Sequence, residues 1–210
     1  MNDNPLYSAI FHIASVLEVP VVIAALLALA YLVVELGRFG AELATRARRR
    51  PGPARTAQLE KAARAARGAG PGSGPRALDA VALGGRVQAV YAAVLAHVGD
   101  ENAVAKDLAD FDLAAQRRLA RTRILVRIGP ALGLMGTLIP LAPALDGLAR
   151  GNTRALTENL QLAFSITVLG LLIGAVAFGV SLARENMYGQ DFSDLEYVAS
   201  VLTDDVPDPT

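Results

Sequence analysis

Two long apolar stretches lie between Arg127 and Arg184, joined by a short polar turn, and each carries hydroxyl side chains in its interior. The first runs from Ile128 to Ala149 and holds Thr137; the second runs from Leu160 to Ala183 and holds Ser165 and Thr167. A membrane-crossing helix needs about 20 mainly apolar residues, and both stretches meet that length. A polar side chain at bilayer depth must face protein or water, because lipid offers it no partner. Polar positions on two neighbouring helices therefore point to a conduit.

Leu17 to Leu36 supplies a third span, with Glu18 and Glu35 near its ends and Pro20 in its first turn. Ala28-Leu-Ala30 resembles a signal-peptide cleavage site. Nothing basic precedes it, however, and the apolar run continues to Leu36, so the sequence reads as an uncleaved membrane helix. With 53% hydrophobic residues and a mean hydropathy of +0.38, the chain is more apolar than an ordinary soluble domain. The alternative of a soluble helical protein with three buried helices does not account for spans this long without a polar face.

Formal net charge is zero, but the basic residues are unevenly spread. Of 20 Lys and Arg, 17 lie between Arg38 and Arg127, two lie in the turn (Arg150, Arg154) and one follows the last span (Arg184). Basic residues favour the cytoplasmic side. The expected layout is an extracytoplasmic N-terminus over residues 1–16, a first span over 17–37 and a cytoplasmic region over 38–127. A hairpin of two spans over 128–184 and an acidic cytoplasmic tail over 185–210 follow. The fold class is all-α: an integral membrane protein with three transmembrane helices and long helical extensions.

Within the cytoplasmic region, Pro51-Gly-Pro and the Gly/Pro-rich stretch Gly68–Pro75 read as flexible linker spanning 51–75, with a short Ala/Arg/Lys helix between them. Helical character returns over 76–127, broken at Gly99-Asp100. Asp100 is suited to cap a new helix with Glu101 in its first turn. That helix is expected to continue into the second span as far as Gly129-Pro130. Leu108, Phe111, Ala115 and Leu119 give it an apolar stripe for packing. The end of the tail, Val206-Pro-Asp-Pro, reads as disordered.

The residue inventory excludes several function classes. There is no Cys, so disulfides, zinc-thiolate sites and thiol catalysis are ruled out. His12 and His97 stand far apart with no ligand-spaced cluster, so no metal site and no cofactor is expected. No Gly-rich phosphate loop with its lysine, no paired carboxylates and no Ser/His/Asp set is present; the chain does not read as an enzyme. Gly70-Pro-Gly-Ser-Gly is linker. The run Arg46-Ala-Arg-Arg-Arg50, beside a span, is better explained by topology and lipid headgroups than by nucleic acid.

Small residues at four-residue spacing let helix backbones approach closely in lipid. Gly129, Gly133 and Gly136 on the second span, with Gly170 and Gly174 on the third, suit that packing. Pro140 and Pro143 are expected to kink the outer half of the second span and free backbone carbonyls. Thr137 and Thr167, on antiparallel helices, fall toward the same middle depth, with Ser165 a weaker companion. A single threonine can bond its own helix backbone and mean nothing more. If several copies surround an axis, such hydroxyls form rings able to hold water or a cation. No titratable side chain lies in the middle of either span. Asp146 and Glu158 sit toward the outer ends as possible mouth charges, so a proton pathway needs a carboxylate from another polypeptide.

The stretch Gly133-Leu-Met-Gly136-Thr137 resembles the Gly-Leu-x-Gly-Thr of the MotA/TolQ/ExbB proton-channel family. Ala163-Phe-Ser-Ile-Thr167-Val-Leu-Gly170-Leu171 is similar to that family's Ala-Leu-x-x-Thr-x-x-Gly-Leu. The resemblance covers roughly Arg117 to Asn186 and the three-span layout. It implies a homopentamer in a prokaryotic inner membrane around a single-span partner of the MotB/TolR/ExbD kind, whose membrane Asp carries the proton past Thr137 and Thr167. Flow of H⁺ or Na⁺ then drives work outside the membrane. Leu162 stands where ExbB and TolQ usually have Glu, the proline after the third-span Gly-Leu is missing, and the long insert of flagellar stators is absent. The first two are departures from the family's pattern; the absence of the insert brings the chain nearer the ExbB/TolQ type, or a separate prokaryotic branch. The rival from another class is a non-conducting scaffold or transporter subunit.

Overall fold

The computed structural model describes residues 5–47, 61, 64, 85–97 and 100–203. Four helices account for nearly all of them: α1 (Pro5–Ala47), α2 (Gly85–Ala96), α3 (Glu101–Ala149) and α4 (Thr153–Thr203). No strand occurs among the described residues. Three of the helices, α1, α3 and α4, are long and apolar enough to cross a membrane. The protein is an all-α, multi-pass membrane protein. The two linker stretches and the end of the acidic tail lie outside the described residues. Of the short Ala/Arg/Lys helix only Lys61 and Arg64 are described, both helical.

The chain divides into two compact units, Met1–Arg38 with Ala120–Leu182, and Phe39–Leu119 with Ala183–Thr210. In the first, the membrane unit, α3 and α4 form an antiparallel hairpin. The turn between them follows from its residues. Gly151 adopts φ +77°, where a side chain is strained, and ends α3 as its left-handed cap. Gly151 N donates to Leu148 O at 2.9 Å and Asn152 N to Gly147 O at 2.8 Å, the paired bonds that close a helix C-terminus. Asn152 then opens α4, its Oδ1 accepting from Ala155 N at 3.1 Å.

α1 packs on this hairpin through Leu32, which joins Leu125, Ile173 and Ala177 in one buried cluster. One turn along each helix from that cluster sit Glu35, Thr122 and Ser181, which are 3%, 0% and 5% exposed. Their carboxylate and hydroxyls form a polar layer under the apolar one. The outward arcs are apolar: Leu27, Val33, Leu134, Leu138, Leu145, Phe164, Val168 and Leu171 are all exposed. Water would not tolerate so continuous an apolar surface, and a bilayer requires it.

α3 differs from the sequence expectation at Gly129-Pro130, where it continues unbroken through Pro130, Pro140 and Pro143 to Ala149. Packing accounts for this at Pro130. Its ring rests where a Cβ on Gly174 would come within 2.8 Å of both Cδ and Cγ, so the glycine makes room for the proline. A helix in lipid also has no water to receive broken backbone bonds, which favours continuity through proline.

The second unit, built from helical extensions, has its own core of Tyr91, Val94, Val104, Leu119, Leu195 and Val198. Asp100 Oδ1 accepts from Ala103 N at 3.1 Å and caps α3, and Phe111 on the expected stripe stacks on Phe192 with centroids 6.4 Å apart. The acidic tail is structured as far as Thr203, because Leu195, Val198 and Ala199 bury one of its faces. Arg46 is engaged within the protein: its guanidinium pairs with Asp191 at 2.5 Å and lies 5.9 Å from the centre of the Tyr188 ring. Glu42 completes this cluster, accepting from Tyr188 Oη at 3.3 Å with Arg184 Nε 3.7 Å away.

Candidate functional site

Glycine contacts fix the register of the hairpin. A Cβ on Gly129 would stand 2.7 Å from Gly170 O and 2.8 Å from Gly174 N; one on Gly133 would stand 3.2 Å from Thr167 O. One on Gly136 would overlap the side chain of Ile166. The backbones of α3 and α4 therefore touch without side chains between them, in the manner of small-residue membrane contacts. Because Gly136 faces Ile166, Thr137 stands level with Ser165. Thr167 lies two residues further along, an axial offset of about 3 Å. All three hydroxyls share one narrow band of depth.

Each hydroxyl sends its proton into the backbone. Thr137 Oγ1 donates to Leu134 O at 2.8 Å, and Ser165 Oγ to Gln161 O at 2.7 Å. Thr167 Oγ1 donates to Ala163 O at 2.9 Å, with Gly133 O of the neighbouring helix at 3.3 Å. Thr167 alone reaches across the helix pair, and the bare Gly133 backbone lets it. A hydroxyl has one donor and two acceptor lone pairs. With the donor engaged, each oxygen presents only acceptor capacity. Thr137 and Thr167 are half-buried and Ser165 is exposed.

Acceptor-only oxygens suit a proton-bearing or cationic visitor: a protonated carboxyl, a hydrated proton or a small cation. They cannot change charge state, and no Asp, Glu, Lys, Arg or His lies between Ile128 and Leu145 or between Asn159 and Ala183. The two outer carboxylates are both committed locally. Asp146 pairs with Arg150 at 2.7 Å and Glu158 with Arg154 at 2.8 Å, each one turn along its own helix and well exposed. Among the described residues no group of three or more His, Cys, Asp or Glu could hold a metal ion.

Two arrangements escaped sequence reasoning. The buried layer of Glu35, Thr122 and Ser181 carried a partial signal, a carboxylate one turn inside the end of an apolar run. The pairing of Arg46 with Asp191 carried none, since it joins positions 145 residues apart.

The sequence model of the MotA/TolQ/ExbB proton channel family matches residues 91–187. That stretch contains Thr137, Ser165, Thr167 and all five packing glycines. No curated protein sequence and no solved structure matches the chain.

Proposed function

We propose that the chain, whose residues 91–187 match the model of the MotA/TolQ/ExbB proton channel family, is a member of that family and the membrane subunit of an ion-motive-force-driven channel or motor complex. Several copies, five by the family resemblance, surround a single-span partner of the MotB/TolR/ExbD kind in a prokaryotic inner membrane. The N-terminus faces outside and the extensions face the cytoplasm, as the basic residues direct. The partner's membrane Asp takes up the ion, Thr137 and Thr167 solvate the passing charge with Ser165 assisting, and ion flow is coupled to mechanical work or transport. On this reading the chain is a channel subunit and not an enzyme.

One observation supports this reading above the others: three acceptor oxygens at one depth of two spans that carry no titratable group between Ile128 and Leu145 or between Asn159 and Ala183. A protonated carboxyl from outside the chain is the complement such a site lacks. Held at the middle of a low-dielectric layer, the hydroxyl oxygens attract a positive charge without trapping it.

A second reading draws on the same hydrogen bonds. Hydroxyls that donate to helix carbonyls can be purely structural, in a non-conducting scaffold or transporter subunit. Purification from native membranes, with mass spectrometry of what accompanies the chain, separates the two. The channel reading expects a small single-span protein with an Asp in its span. Recovery of the oligomer without any such protein favours the scaffold.

A further inference from the structure

Along α3 the outward arc changes character below the span. Ile124 and Ile128 are 55% and 44% exposed, and they continue the apolar arc of Leu134, Met135 and Leu138. On either side of this pair stand Arg121 and Arg127, both exposed, while Thr122, Leu125 and Gly129 fill the opposite, buried face. From Leu113 to Leu145 the helix holds no acidic residue. Arg121 and Arg127 also have no hydrogen-bond or ion-pair partner among the described residues. Two guanidiniums without counter-charge thus border an exposed apolar surface.

We propose that Arg121 and Arg127 bind the phosphodiester headgroup of an anionic phospholipid in the inner leaflet, with its acyl chain along Ile128 and the apolar arc above it. Depth agrees with this. Taking Thr137 as mid-membrane, Arg127 lies about 15 Å away by helical rise and Arg121 about 24 Å. The hydrocarbon edge is about 15 Å from the midplane and the outer limit of the headgroups about 20–22 Å. The headgroup layer therefore falls between the two arginines, and a phosphate there is reached from both sides. The planar fork of arginine suits a phosphate oxygen pair, and a long side chain can lift its charge to that level. Arg46, the arginine nearest the first span in the run that suggested lipid contact, is engaged with Asp191.

The test uses the purified full chain in neutral detergent, titrated with phosphatidylglycerol or phosphatidylcholine and read by native mass spectrometry and thermal shift. Each basic residue at an anionic surface is worth about five-fold in affinity, so Arg121→Gln/Arg127→Gln should bind phosphatidylglycerol about 25-fold more weakly. Its phosphatidylcholine binding should not change. Arg121→Lys/Arg127→Lys should keep most of the affinity, and the wild-type preference should weaken as salt rises. Equal binding of the two lipids by the wild type overturns the proposal, as does undiminished phosphatidylglycerol binding by the Gln variant. A matching effect of inorganic phosphate alone would assign the arginines to a soluble anion. Loss of oligomer by the Gln variant in either lipid would assign them to contact between copies.

Discussion

Gly170 and Gly133 meet so closely that a Cβ on Gly170 would come within 2.7 Å of both Cα and N of Gly133. No side chain fits there, and backbone atoms cannot yield as a flexible side chain can. This contact holds Thr167 over Gly133 O, and with it the depth of the hydroxyl band. Gly170→Ala should lower stability by about 1–3 kcal/mol as an overpacking change, more than the gain of about 1 kcal/mol in helix propensity that alanine brings. Gly179, on the same helix with nothing within 4 Å of its Cβ position, provides the control. Gly179→Ala should be neutral or mildly stabilising. Thermal unfolding in detergent of the two variants decides; equal melting temperatures would contradict the packing assignment.

The ion pair between Arg46 and Asp191 is a second test of the fold. The Asp191 side chain is 3% exposed and that of Arg46 26%. Asp191→Asn keeps the shape and removes the charge, leaving Arg46 with Glu42 at 3.7 Å. A fully buried pair broken on one side costs about 3–5 kcal/mol; partial exposure of the arginine reduces this to about 1–3 kcal/mol. Exchanging the two residues, Arg46→Asp with Asp191→Arg, should recover part of the loss. A double variant no better than the sum of its singles would mean that the pair does not interact in solution.

The hairpin turn offers a third. Gly151→Ala forces a side chain into positive φ and should cost about 1 kcal/mol. Asn152→Ala removes the cap of α4 and should cost about the same. Because neither residue lies near the hydroxyl band, both variants should keep ion flow while melting earlier. A variant that melts normally but conducts poorly would place the turn in the pathway.

Much of this architecture was readable from periodicity and length. The three spans, the cap at Asp100 and the Phe111 stripe are local features, set within a few residues of sequence. The glycine spacing on α3 and α4 also announced a close approach, because in lipid small residues have few other uses. The continuation of α3 through Pro130 was not readable, since it depends on a gap left by Gly174 on another helix. The engagement of Arg46 by Asp191 was hidden for the same reason: only the fold brings the two together. At the candidate site, the shared depth of Thr137 and Thr167 followed from counting residues. The bond from Thr167 to Gly133 O did not, because it requires the actual register.

Thr137 carries the central claim, and one substitution isolates its hydroxyl. Thr137→Val keeps the branched shape and removes only the oxygen bonded to Leu134 O. The measurement is ion flux into vesicles containing the chain together with the single-span partner purified alongside it, comparing wild type with Thr137→Val at equal assembly. The account predicts that the variant assembles normally and loses most of its flux. Flux equal to that of the wild type, with assembly intact, would contradict it and leave the hydroxyl as a helix-backbone ligand only.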